Sequence, residues 1–212
     1  MLGASQLAWL RRGLRQSTAT WKVIGNQVPF FPTVLGPGYP EALSAILEPV
    51  SPALAHEPAA YYVDDWNGYP AERSRIVSTL AEVDDVVILT GDVHQSYACE
   101  IPRDAGTYSA TGESVAVELI APGISSPAIS TIIAQFVPGA DTAIESVFST
   151  NEAGFNQWVK YRDSSRCGYL LVDIDAERVR ADWWLVDDSQ VRQSPMRRAK
   201  TVQVRRGSRR VS

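Results

Sequence analysis

The residues most able to do chemistry lie in the segment 86–98, which reads VVILTGDVHQSYA. Asp92 and His94 follow an apolar run that is typical of a buried strand, and Gly91 permits a sharp turn before them. Open α/β sheets bind ligands at the carboxyl ends of their strands. A carboxylate oxygen and a neutral imidazole nitrogen are common metal ligands. If the backbone stays extended, the two side chains face one side and converge, so a metal site is one interpretation of the pattern.

A metal held by this pair would lower the pKa of a bound water and stabilise charge on a phosphoryl oxygen. The pair alone also fits a structural role, in which Asp92 caps the following turn and His94 is a hydrogen-bonded histidine. The other histidine, His56, lies between prolines in PALAHEPAA and is interpreted as a loop residue.

The elements that must position this pair begin with an amphipathic helix near the amino terminus. Ser5 is its expected N-cap, and Leu7, Leu10 and Leu14 recur at helical spacing. The next segment, TWKVIGNQV, predicts a buried strand.

A proline- and glycine-rich stretch follows and is interpreted as a long surface excursion over residues 29–58, with one short helix around 41–47. Order resumes in DDWNGYPAERSRIVSTLAEV, which predicts a turn at 67–68 and a helix with Pro70 in its first turn. The apolar face of that helix comprises Ile76, Val77, Leu80 and Val83.

The middle of the chain predicts three strands. The continuous apolar run in DDVVILT indicates a strand buried on both faces, and SYACEI and SVAVELI predict two more strands joined by a glycine-containing loop. The segment APGISSPAIS reads as a loop, followed by helical regions at about 128–136 and 142–148.

Two apolar runs near the carboxyl end predict an antiparallel hairpin over 168–175 and 179–186, with its turn near 176–177. Because neighbouring strand residues face opposite sides, one of Trp183 and Trp184 is expected in the core. Helices, strands and this hairpin in succession predict an α/β layered domain with a mixed sheet.

Composition and charge constrain the class of protein. The 212 residues are 45% hydrophobic and carry a net charge of −4, which is ordinary for a globular domain. Eight basic residues and no acidic ones lie in 189–212, leaving 12 basic against 24 acidic residues in 1–188. That basic segment either binds an anionic partner or is a partly ordered end that neutralises an acidic body. Cys99 and Cys167 could be thiols or a disulfide.

Five segments occur in an order that resembles the C-terminal half of the PhoD-like alkaline phosphatases. These enzymes are of the metallophosphoesterase type and cleave phosphate monoesters and diesters. The resemblance covers most of residues 2–187. The segments are LGASQLAWLRRGLRQSTATWKVIGNQV, DDWNGYPAERSRIVSTL, VVILTGDVHQSYA, VELIAPGISS and GYLLVDIDAERVRADWW.

The resemblance implies the second half of a calcineurin-like α-β-β-α sandwich, in which two mixed sheets pack face to face with helices outside. Residues 1–188 would be the C-terminal part of the phosphatase domain, and 189–212 a basic tail. Asp92 and His94 would be the metal ligands, with no catalytic residue beyond them. The implied cofactors are iron with calcium, or alternatively zinc or manganese.

The resemblance also suggests residues that line the site. Asn26 and Gln27, at the end of the first strand, would face the site with their amide groups. The segment DDWNGYP would form a wall or substrate platform. The serines of GISSP would donate hydrogen bonds to phosphate. The alternatives are satisfied amides at a strand end, a turn packed on the core, and a polar loop. These residues are Asn26, Gln27, Asp65, Trp66, Tyr69, Ser125 and Ser126.

The early ligand motifs of this superfamily have no counterpart here, so an upstream N-terminal half is an expected partner, with the remaining ligands and any export signal. The expected substrate is a phosphate-ester small molecule or a phospholipid, without specific nucleic acid. Two alternatives are a catalytically inactive fragment and an anion-binding module that acts through the basic segment. The sequence lacks a signal-peptide pattern, and the resemblance implies a periplasmic or extracellular location.

Overall fold

Two main sheets and two longer helices make up most of the computed structural model, which describes residues 1–35, 59–60, 64–128, 130–132 and 154–212. The helices are α1 (Gly3–Gln16), a 3-10 turn (Trp66–Gly68), α2 (Pro70–Leu80) and α3 (Tyr108–Thr111). The strands are β1 (Lys22–Asn26), β2 (Val34–Leu35), β3 (Ala59–Ala60), β4 (Val86–Thr90), β5 (Ser96–Pro102), β6 (Ser114–Ile120), β7 (Val159–Asp163), β8 (Gly168–Ile174), β9 (Arg178–Val186) and β10 (Met196–Arg205).

The larger sheet has five strands in the order β1-β4-β6-β5-β7. Strands β1, β4 and β6 run parallel, whereas β5 is antiparallel to both β6 and β7. A second sheet has the antiparallel order β10-β9-β8, and β2 pairs with β3 alone. The predicted α/β class with a mixed sheet is therefore confirmed.

Two apolar clusters divide the structure into layers. One face of the large sheet packs against α1 and α2 through Leu7, Leu14, Ile76 and Leu80. The other face packs against the three-stranded sheet, and the cluster between them contains Val87, Val117, Leu119, Val179, Ala181, Trp183 and Leu185. The described residues thus form a helix layer and two sheet layers, three of the four layers expected. A second outer helix layer is absent from the ranges that the structure describes.

Most of the predicted elements are confirmed. Helix α2 begins at Pro70 and buries Ile76 and Leu80, and β4 is buried along almost its whole length. Strands β8 and β9 pair as the predicted hairpin. Residues 130–132 are helical, whereas the predicted helices at 41–47 and 142–148 lie outside the described residues.

Three expectations about the first 35 residues are wrong. Ser5 lies inside α1, whose N-cap is Leu2, and Glu72 of α2 accepts the Leu2 N–H at 3.1 Å. Strand β1 is an edge strand rather than a buried one, so Val23 is 46% exposed. Phe30 and Phe31, expected in a surface excursion, are each only 3% exposed.

The basic C-terminal segment also differs from expectation, because much of it is a strand rather than a partly ordered tail. Strand β10 pairs with β9 along its length and buries Val202 and Val204 between the sheets. Its charges partly neutralise the acidic body: Arg209 bonds Asp84 at 2.8 Å. The division of the chain at residue 188 stays a prediction.

Cys99 and Cys167 are buried thiols rather than a disulfide. Among the described residues, no helix combines the length and the apolar character needed to cross a bilayer.

Trp183 should contribute far more to stability than its neighbour Trp184. Trp183 is fully buried, and its Nε1 donates to the Ile120 carbonyl of the facing sheet at 2.9 Å, whereas Trp184 is half-buried. We expect Trp183→Ala to lower the free energy of unfolding by about 3–5 kcal/mol and Trp184→Ala by less, as measured by urea denaturation. Equal losses would contradict this assignment of faces.

Candidate active site

Three parallel strands end at the same edge of the large sheet, and this edge is the candidate active site. Asn26 ends β1, and its Nδ2 donates to Thr90 Oγ1 at the end of β4 at 3.1 Å. The Thr90 carbonyl accepts the N–H of Ala121, just beyond β6, at 2.9 Å. The ends of these strands are therefore joined directly, as the sequence analysis expected for a site at the carboxyl edge.

The turn after β4 is sharper than expected. Asp92 and His94 both have positive φ, at 72° and 53°, and the Val93 N–H donates to the Gly91 carbonyl at 2.9 Å. This bond around a residue with positive φ is the pattern of a classic γ-turn, which is rare and strained. The expectation of extended backbone is therefore wrong, because the chain reverses at once beyond the sheet. That the two side chains converge stays a prediction.

Asp92 is exposed and His94 is half-buried at this edge. The His94 ring lies against the loop that follows β6: a Cβ added at Gly123 would be 3.5 Å from His94 Cδ2 and 3.0 Å from the Ser126 carbonyl oxygen. The tight approach is therefore within this loop, between position 123 and Ser126, whereas the distance to His94 is ordinary van der Waals contact. Ser125 and Ser126 are exposed on the same loop, which leaves their hydroxyls open to solvent.

The expected wall residues lie in the core rather than on the surface. Trp66 is buried, packs edge-on to Phe30 at 5.2 Å between ring centroids, and donates from Nε1 to Asn26 Oδ1 at 3.2 Å. Asp65 is also buried and accepts the Asn67 N–H at 2.7 Å, which caps the 3-10 turn. This geometry favours the packing role over a substrate platform for both residues.

Two further predicted site residues, Gln27 and Tyr69, are exposed. Gln27 follows β1 and is exposed, and its Nε2 lies 3.7 Å from the Met1 sulfur. Tyr69 is likewise exposed, directly before α2. Of the proposed lining residues, Asn26 lies in the hydrogen-bond network at the strand ends, and Trp66 is bonded to it from the core.

The residue at the centre of that network is Glu118 of β6, which was not among the predicted site residues. Its carboxyl group is fully buried and accepts three backbone contacts, from Phe30 N–H at 2.9 and 3.1 Å and from Phe31 N–H at 2.8 Å. Thr90 Oγ1 also donates to it at 2.6 Å. A single acidic residue inside the otherwise apolar run SVAVELI was the available signal, since acids are seldom fully buried without partners.

Burial raises the pKa of Glu118 to about 7, and the hydrogen bonds from Thr90, Phe30 and Phe31 oppose that rise. Burial likewise raises the pKa of Asp65, and the bonds from Asn67 oppose it. Arg73 is a cation that interacts with both carboxyl groups. Burial lowers its pKa, while the charges of Asp65 and Glu118 raise it.

The chemistry of the donors fits a metal ion in part. A carboxylate and an imidazole on one turn are suitable ligands, and the exposed Asp92 can be reached by an ion from solvent. Within the described ranges, however, no three side chains of His, Cys, Asp or Glu lie close enough together to hold a metal. Among the described residues, Asp92 and His94 therefore belong to no group of three such side chains, and their role as metal ligands stays a prediction.

Together the fold and the edge define a layered α/β domain that carries a carboxylate–imidazole turn at the ends of its parallel strands. The chain belongs to the PhoD-like phosphatase family, whose sequence model matches residues 1–183. The recognition made from the sequence is confirmed.

Two known proteins show the extent of the similarity. Alkaline phosphatase D of Bacillus subtilis (strain 168) is 34% identical over 106 residues, which are 49% of this chain and 15% of that protein. A solved structure of PhoD matches the whole chain with a TM-score of 0.68 and 20% identity, and the match covers 34% of that structure's chain. This chain therefore spans only part of the length of the relatives it matches.

The stability contributed by Glu118 should fall as pH rises. Because its pKa is about 7 in the folded protein and 4.5 in a model compound, the folded state holds the extra proton, and its stabilising effect is complete below about pH 4.5. We expect the advantage of the wild type over Glu118→Gln in free energy of unfolding to decline by about 1–3 kcal/mol between pH 5 and 8, at ~1.4 kcal/mol per pKa unit.

Urea denaturation across that range measures the difference, and Glu100→Gln is a control for loss of another buried carboxyl group. An advantage that grows with rising pH would mean that hydrogen bonding outweighs burial and that the pKa of Glu118 is lowered.

Proposed function

We propose that this protein takes part in metal-dependent hydrolysis of phosphate monoesters or diesters, with Asp92 and His94 as the metal ligands that this chain contributes. The observation that carries the proposal is the strained turn at residues 91–94, which places a carboxylate and an imidazole at the shared edge of three parallel strands, inside the segment matched by the phosphatase family. Strained backbone is concentrated at active sites and ligand-binding loops.

A bound metal would supply a water of lowered pKa and would stabilise negative charge on the phosphoryl group. The chain's own residues would hold and orient that centre. The exposed Asp92 carboxylate offers an anionic donor, and the loop of Gly123 lies beside the His94 ring. The exposed hydroxyls of Ser125 and Ser126 on the same loop are suited to donate hydrogen bonds to a phosphate.

The metal, the substrate, the location and the source of further ligands are also proposals. Iron with calcium is the proposed metal content, with zinc or manganese as alternatives, and the proposed substrate is a phosphate-ester small molecule or a phospholipid. A periplasmic or extracellular location is proposed from the family resemblance. We propose also that an upstream half supplies the missing ligands, because two donors leave a metal mostly hydrated and weakly held.

Phosphate-ester hydrolysis should depend on both proposed ligands. We expect Asp92→Asn and His94→Asn each to lower kcat/KM by about 10- to 100-fold, because changes to the partners of metal ligands alone cause losses of this size. The measurement is hydrolysis of p-nitrophenyl phosphate and of bis(p-nitrophenyl) phosphate, with iron and calcium, zinc or manganese added. Asp173→Asn changes an exposed carboxylate on β8 and serves as the control.

Turnover that is equal in the wild type and in both ligand variants would contradict the proposed site. If the chain alone shows no turnover with any metal, and still none after co-expression with an upstream half of a PhoD-like protein, the inactive alternative is correct. Rapid turnover by the chain alone, abolished in both variants, would refute the proposed need for further ligands.

A further inference from the structure

We propose that Glu118 is a positioning residue that fixes the turn at residues 91–94 by holding the end of β4 against the segment that follows β1. This inference rests on the proposed function in one respect, since it concerns the orientation of Asp92 and His94. It assigns Glu118 no contact with substrate or metal.

Glu118 is at the centre of a hydrogen-bond network that connects β6, the end of β4 and the chain beyond β1. The Glu118 carboxyl group accepts from Thr90 Oγ1 and from the N–H groups of Phe30 and Phe31. Thr90 Oγ1 in turn accepts from Asn26 Nδ2. One side chain on β6 therefore links the end of β4 to the chain beyond β1.

Thr90 directly precedes Gly91. The hydroxyl of Thr90 is hydrogen-bonded to Glu118 and Asn26, and its carbonyl accepts from the Ala121 N–H. Because the γ-turn begins at the next residue, the direction in which the chain leaves β4 depends on these bonds. A change at Glu118 would therefore be transmitted to the turn through Thr90.

An apolar residue at position 118 would leave the amides of Phe30 and Phe31 without an acceptor. Phe30 and Phe31 are buried, and a buried N–H without a partner is costly. The carboxyl group offers two oxygens with about four acceptor positions, enough for both amides and the hydroxyl together. A Gln side chain offers one acceptor oxygen and turns its NH₂ group toward other donors.

The chain provides a matched control in Glu100, which is also buried and lies on the adjacent strand β5. Glu100 accepts from Tyr108 Oη at 2.5 Å and from Val211 N–H at 3.1 Å. Its bonds therefore lead to α3 and the C-terminal segment rather than to the turn. Glu118→Gln and Glu100→Gln each replace a buried carboxyl group by an amide, but only the first touches the proposed pathway.

The experiment observes His94 directly by NMR, in the full chain carrying His56→Gln so that a single imidazole remains. The ring ¹H–¹³C resonances are recorded without metal, and Mn²⁺ is then titrated while their broadening is followed. We expect Glu118→Gln and Thr90→Val to shift the ring resonances and to weaken Mn²⁺ binding by about 10- to 100-fold, the range for outer-shell partners of metal ligands.

Glu100→Gln and Thr90→Ser should keep the wild-type resonances and affinity, the latter because it retains the hydroxyl. A loss of stability alone, with His94 unchanged in Glu118→Gln and Thr90→Val, would overturn the proposal. If Glu118→Gln does not fold, the comparison of Thr90→Val with Thr90→Ser decides. If the wild type does not bind Mn²⁺, the metal-free resonances still test positioning, while the proposed ligand role of Asp92 and His94 fails separately.

Discussion

The hydrogen bonds of the buried Glu118 carboxyl group are the interaction on which the candidate site depends. Burying a carboxyl group costs free energy unless donors surround it, and burying the amides of Phe30 and Phe31 costs free energy unless an acceptor reaches them. Each side of this contact satisfies the other. The buried amides after β1 and the buried carboxyl group of β6 would each be costly without the other.

This mutual requirement explains how a strained turn can persist beyond β4. Left-handed residues other than glycine cost of order 1–3 kcal/mol each and need surroundings that fix them, and Asp92 and His94 are two in one turn. Thr90 anchors the turn on one side. On the other side, the buried Gln95 accepts from Tyr97 Oη at 2.7 Å. The turn is thus held at both ends, while Asp92 itself remains exposed to solvent.

Sequence reasoning succeeded where the signal is local. The helical spacing of Ile76 and Leu80 and the apolar run of β4 are set by residues close in sequence, and the turn chemistry between β8 and β9 belongs to four or five residues. The GDVH segment is likewise recognised from neighbouring residue types, and its role as a metal site stays a prediction. Local periodicity determines which element forms and which of its faces is apolar.

The failures share a dependence on partners far away in sequence. The exposure of Val23 follows from the place of β1 at the edge of the sheet, and the burial of Phe30 follows from an acceptor 88 residues away. The basic C-terminal segment becomes a strand because β9 offers it an edge. For Asp65 and Trp66 the sequence left a site wall and a turn packed on the core as alternatives, and the contacts of Trp66 with Phe30 and Asn26 favour the packed turn.

Glu118 and Glu100 carry the same buried carboxyl group, but their positions in the sheet give them different partners. Residues 117 and 119 pack between the two sheets, so Glu118 points to the helix side, where the chain beyond β1 and the cation of Arg73 lie. Glu100 instead holds Val211, which packs against the cluster between the sheets. The two carboxyl groups lie one residue apart in the register of β5 and β6, because Glu118 pairs with Cys99 and Glu100 with Val117, but they face opposite sides of the sheet. Of the two, it is Glu118 that accepts from Thr90, the last residue of β4 before the turn that carries Asp92 and His94.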